Sequence, residues 1–245
     1  MRLVFDHSDV YAYFLICTRI MAALTVAIGF GENTISQKIR LYISFFVALI
    51  FYPLLKENIH INESFVIIDF FIEVLIGFFT GFSVKFISVS LDMVGSLITN
   101  QSGLSFSSFF SNMFHEQMSH ISMFLSLTGV ILFFNQNMEY CFFKLLIKTY
   151  SKSNYLGNYD MIEVFITIIS QGFLFAVTVG FPFITVQIVL LLSIGLVNKF
   201  TPQTQLYFIS HPIQMGATFF IMVLIIVPMF NLYMEYMRNI FDMFL

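Results

Sequence analysis

Five ionisable side chains interrupt otherwise apolar stretches of this sequence: Arg19, Asp69, Glu73, Lys85 and Asp92. Charges in such surroundings are costly when they face lipid, so they face protein or water. Two chemistries suit them. Arg19, Glu73 and Lys85 could form an intramembrane charge relay that passes protons or holds a charged solute, as in a secondary transporter. They could instead be structural ion pairs, within the chain or with a partner. Arg19 requires an acid or carbonyl, and Glu73 is its in-chain candidate. The chain lacks the repeated, Gly/Pro-broken halves of secondary transporters, which favours pairing.

Other constellations carry less. His115 and His120 are five residues apart, about 140° around a helix. A metalloprotease helix needs histidines four apart, so 115–120 reads as a polar loop. No P-loop, dinucleotide-binding glycine pattern or nucleophile elbow is present, and no enzyme signature, metal site or cofactor is expected. Cys17 and Cys141 each lie in an apolar segment without a CxxC spacing, and read as buried free thiols. Gly77 and Gly81 form a GxxxG, which lets another backbone approach closely in apolar surroundings.

The elements that position these residues are long and apolar. Of 245 residues, 58% are hydrophobic and 10% charged, with a mean hydropathy of +0.88. A soluble domain carries about 25% charge. Such a chain cannot coat its own surface with polar groups, so lipid or apolar partners must cover it. A net charge of −3, with no basic run, excludes a nucleic-acid binder. Arg2 stands against Asp6 and Asp9, the wrong balance for a cleavable signal peptide.

Apolar stretches run from Val10 to Phe30, Ile39 to Leu55, Phe65 to Ile98, Ile121 to Asn135 (extendable through Phe143), Met161 to Val197 and Ile213 to Tyr236. They exceed strand length, which predicts an all-α integral membrane protein of one domain, residues 1–245. Thr99 to His120 is polar and Ser-rich. Lys144 to Asp160 reads as a loop, on Ser151, Ser153, Asn154, Gly157 and Asn158. The stretch from Met161 divides into two halves at Gly180-Phe181-Pro182. Asn198 to Pro212 is a second loop, because Pro202 biases Thr201 away from helix. Lys38 and Arg40 fall on the opposite side from Lys144, Lys148 and Lys152 under simple alternation, so the positive-inside rule gives no orientation.

Four stretches resemble the FliR family, called SctT in virulence secretion systems. They are Leu75-Ile76-Gly77 with Gly81-Phe82; Gly95 with Gln101-Ser102-Gly103-Leu104-Ser105-Phe106; Phe181-Pro182 with Leu192, Gly195-Leu196 and Asn198; and Lys199-Phe200-Thr201-Pro202-Gln203 with Tyr207 and Pro212. Their order and spacing cover nearly the whole chain. Lys199 replaces the family's Arg, keeping the charge but losing the planar fork. Ser111-Asn112 replaces an Asp-Pro, and Gln136-Asn137 a Gly-His.

The resemblance implies a structural subunit of a flagellar protein export gate. It would be built of helical hairpins in the bacterial inner membrane and flagellar basal body. The implied partners are FliP-like and FliQ-like subunits, with FlhB-like and FlhA-like export proteins, around a pore for unfolded flagellar subunits. The loop after Gly-Leu-Ser-Phe, about Ser105 to His120, would plug that pore with Phe106, Phe109, Phe110, Met113 and Phe114. Gly95 and Gly103 join Gly77 and Gly81 as helix-packing positions. Lys199, Pro202 and Gln203 become a loop that contacts a partner.

Overall fold

A computed structural model describes residues 7–31, 35–56, 66–102, 120–151, 160–200 and 206–244. The described residues form seven helices and no strand: α1 His7–Val26, α2 Gln37–Leu55, α3 Val66–Gln101, α4 His120–Asn135, α5 Met138–Ser151, α6 Asp160–Phe200 and α7 Leu206–Phe244. In apolar surroundings every backbone polar group must be satisfied within its own segment, which a helix does. Hydroxyls obey the same rule. Thr80 donates to the Gly77 carbonyl, Ser83 to Phe79, Ser96 to Met93 and Thr99 to Gly95, each at 2.8 Å. These four hydroxyls of α3 are thus satisfied by carbonyls of their own helix.

Five helices are long and apolar enough to cross a membrane, six if α4 and α5 count together as one bent span. The protein is an all-α integral membrane protein. At 1.5 Å per residue, α3, α6 and α7 reach about 54, 61 and 58 Å, roughly twice a bilayer's hydrocarbon core.

Three sequence expectations about boundaries need correction. Lys144–Ser151 is helix, not loop: Phe142, Leu145, Leu146, Thr149 and Tyr150 repeat at helical spacing and are buried, with Lys144 on the exposed side. α6 runs unbroken through Gly180-Phe181-Pro182, so its two halves are one helix. Pro182 forfeits one backbone hydrogen bond there, whereas a break would strand several groups in apolar surroundings. Asn198–Phe200 closes α6 and Leu206–Pro212 opens α7, which leaves 201–205 outside the described residues.

By contacts the chain divides into two compact units, described here separately. Unit 1 comprises Met1–Ile87, Phe133–Ile168 and Ile240–Leu245. In it α1 and α2 form an antiparallel hairpin, turned at Gly29, whose φ of 77° is one glycine adopts freely. The hairpin is fixed by Tyr13 donating to the Phe45 carbonyl at 2.8 Å and by a Lys56–Asp9 ion pair of 2.5 Å. The hydrogen bond to Asp9 raises the Lys56 pKa above its ordinary value. Ile16, Ile20, Leu24, Ile87, Phe142 and Leu146 form the core.

Unit 2 comprises Ser88–Leu132 and Ile169–Asn239. Leu91, Val94, Leu125, Val179 and Tyr233 are buried there, and the Phe175 and Tyr236 rings stack at 5.4 Å. Between α4 and α5, in unit 1, Asn137 takes a φ of 53°.

Candidate functional site

Within unit 1, α3 presents Glu73, Gly77 and Gly81 at intervals of four, one helical face, to α1. A methyl group at Gly77 would meet the Arg19 carbonyl oxygen and lie 2.9 Å from Ala22 Cβ. One at Gly81 would meet the Ala23 carbonyl oxygen and lie 3.0 Å from Ala23 Cα. Backbone therefore packs on backbone, and α1 answers the two glycines with two alanines. The partner of the GxxxG is α1 of the same chain.

That close approach places Arg19 one turn from Glu73. The Arg19 guanidinium donates from Nε and from Nη2 to the two oxygens of the Glu73 carboxylate, the latter at 2.7 Å. Its Nη1 donates to Thr149 Oγ1 at 2.9 Å, and its Cζ lies 3.7 Å from the Tyr150 ring centre. Thr149 Oγ1 in turn donates to the Leu146 carbonyl at 2.7 Å. Arg19 is 4% exposed. The node joins α1, α3 and α5 by a bidentate pair, a hydroxyl and a cation–π contact. Such a pair holds an arrangement in register; truncating one partner would leave a buried charge uncompensated.

The sequence-derived residues divide as follows. Arg19 and Glu73 come together. Lys85 does not join them: it is exposed, twelve residues and about 18 Å further along α3, so a three-membered relay is not assembled. Gly95, in unit 2, packs on Ser122 of α4, where an added methyl would lie 2.5 Å from Ser122 Cα. Lys199 is exposed in the last turn of α6. Gly103, Phe106, Phe109, Phe110, Met113, Phe114, Pro202 and Gln203 lie outside the described residues. Cys17 and Cys141 are free thiols, half-buried and not fully buried.

Sequence reasoning missed Thr149 and Tyr150, having placed them in a loop. It also missed Gly129, against Leu91 and Tyr233, and Gly180, against Leu97, both in unit 2. An isolated glycine inside an apolar helix was the available signal. Among the described residues no cluster of three His, Cys, Asp or Glu could hold a metal ion.

The family model described as "Bacterial export proteins, family 1" matches residues 10–240. The flagellar biosynthetic protein FliR of Buchnera aphidicola subsp. Baizongia pistaciae is 31% identical over 198 residues, covering 79% of this chain and 77% of that one. FliR of Caulobacter vibrioides is 24% identical over 245 residues, 96% of each chain. FliR of Escherichia coli K12 is 24% identical over 205 residues, 82% of this chain and 78% of the relative.

Proposed function

Because the chain belongs to the FliR family of bacterial export proteins, and is thus a multi-pass inner-membrane component of the flagellar export apparatus, we propose that it is a structural subunit of the export gate. It assembles with FliP-like and FliQ-like subunits around the pore that passes unfolded flagellar proteins, beside FlhA-like and FlhB-like export proteins. The observation that carries this reading is length. α3, α6 and α7 outrun a bilayer core, yet α6 and α7 expose large apolar side chains along them, Phe181, Leu192 and Phe200 on α6 and Phe220, Val223 and Val227 on α7. Lipid covers only about 30 Å of such helices, so apolar protein must cover the rest.

The Arg19–Glu73 node supports a structural role over solute transport. A transporter's charges must exchange partners as substrate moves; here the guanidinium is engaged on three sides by the chain itself. Phe106, Phe109, Phe110, Met113 and Phe114 supply the plug. Several weak apolar contacts close a pore yet yield to an arriving chain, where a buried ion pair would resist. Ser107, Ser108, Ser111 and Asn112 keep the intervening backbone hydrated.

Purification tests the assembly: the chain should emerge in one large complex with FliP-like and FliQ-like subunits. A monomer or dimer carrying a small solute would instead support a transporter. Deleting 109–114 tests the plug, since a loop contributes little to packed helices. The deletion complex should assemble and make the resting membrane leak ions. A deletion complex as tight as the parent would remove the plug assignment.

A further inference from the structure

α2 begins against the usual electrostatic preference. The N-terminus of a helix carries positive partial charge and favours acids. Here the first turn holds no acid but Lys38 and Arg40. Ser36, the N-cap, makes no side-chain capping bond to the first turn, and Gln37, Lys38 and Ile39 are exposed. Arg40 is 1% exposed and folds back on this end, its Nη2 donating to the Ile35 carbonyl at 3.0 Å. Its Nε is buried and has no acceptor among the described residues. A helix N-terminus without a side-chain cap, two cations in its first turn and a buried guanidinium N–H without an acceptor thus lie at one end of α2, where the helix dipole adds more positive potential.

The other end of α2 differs. Lys56, just past Leu55, is neutralised by Asp9. The 19 residues of α2 span about 28 Å, one hydrocarbon thickness, so its first turn stands where lipid phosphates lie. Lys85 is at the same level. Gly77 packs on Arg19 and Ala22 and Gly81 on Ala23, so Lys85, one turn on, is level with Ala27, beyond the end of α1. Ser44 Oγ is 3.6 Å from Met21 Sδ, which sets Arg40, one turn earlier in α2, near the same level.

We propose that this end of unit 1 binds the phosphate of an anionic phospholipid headgroup, held by Lys38, Arg40 and the first-turn N–H groups of α2, with Lys85 drawing a headgroup at the same depth. A phosphate there supplies the acceptor that Arg40 Nε lacks and offsets the unfavourable dipole. This makes a charged residue of an apolar helix, Lys85, a boundary marker and not a relay member.

The test uses the full-length chain, purified in detergent and titrated with phosphatidylglycerol, phosphatidylcholine or inorganic phosphate under native mass spectrometry. Phosphatidylglycerol should bind well above phosphatidylcholine. Lys38→Gln and Lys85→Gln should each weaken it about fivefold, and Lys144→Gln, an exposed lysine elsewhere, should not. Phosphatidylglycerol should also raise the melting temperature of the parent and not of Lys38→Gln, provided both elute alike on gel filtration. Equal binding of the two lipids, or variants that bind like the parent, would overturn the site. Inorganic phosphate matching the lipid's stabilisation would make it a free-anion site. Carbodiimide cross-linking of Lys38 to an acidic residue of another subunit would make the occupant a protein. Either result would displace the lipid.

Discussion

The crossing of α1 and α3 can be tested by adding single methyl groups. Carbon atoms pack best at about 3.5–4.0 Å. A Cβ at Gly77 would be 2.9 Å from Ala22 Cβ, and one at Gly81 would be 3.0 Å from Ala23 Cα. Each alanine must therefore push the helices apart by roughly 0.5–1 Å, against backbone that cannot rotate away, and overpacking of this kind costs about 1–3 kcal/mol. Alanine returns about 0.5–1 kcal/mol through lower chain entropy in the unfolded state. The net expectation for Gly77→Ala or Gly81→Ala is a loss of up to about 2 kcal/mol. Gly195 and Gly216 serve as internal controls: an added Cβ meets nothing within 4 Å, so Gly195→Ala and Gly216→Ala should gain about 0.5–1 kcal/mol. The assay is thermal unfolding of the purified chain in one detergent, where about 2–4 °C accompanies each kcal/mol at this size. The two pairs should separate by several degrees. Should Gly81→Ala melt with Gly195→Ala, above the parent, the backbone contact between α1 and α3 is not formed and the reasoning fails.

Two further outcomes follow from named contacts. Arg19→Met or Glu73→Leu alone should each destabilise by about 3–5 kcal/mol by orphaning a buried charge, while the double substitution recovers most of it; a double variant as unstable as the sum of the two singles, measured by the same melting assay, would show that the pair is not coupled. Asn137 holds a left-handed backbone between α4 and α5, so Asn137→Gly should be nearly neutral and Asn137→Val should cost about 1–2 kcal/mol; equal losses for both would point to the side chain and not to the backbone.

What could be read from the sequence depended on how far apart the cooperating residues lie. Gly77 and Gly81 are one turn apart, so a packing face was visible without structure, though not that α1 occupies it. Arg19 and Glu73 are 54 residues apart, yet a buried arginine needs an acid and few were on offer, so necessity replaced proximity. Thr149 and Tyr150 had no such necessity. They follow Lys144 and Lys148, and the lysines concealed an apolar repeat at 142, 145, 146, 149 and 150 that faces inward. Charge on the outer face of an amphipathic helix looks, residue by residue, like a loop.

Segment length was the least legible property, for a physical reason. Proline, glycine and hydroxyl residues stop helices in water, where a freed carbonyl or amide finds a solvent partner. In apolar surroundings it finds none, so α6 continues past Pro182 and α7 contains both Pro212 and Pro228. Punctuation rules learned from soluble chains therefore cut these helices short and hide that they exceed a bilayer. That excess also favours the proposed gate subunit over a solute transporter. A solute transporter needs helices of about 20–25 residues with charges free to change partners. This chain has helices of 36, 41 and 39 residues and holds its central guanidinium in a closed set of contacts. Helices of that length, with large apolar side chains exposed along α6 and α7, need more apolar cover than a bilayer core about 30 Å thick supplies, which is what the proposed gate assembly would provide.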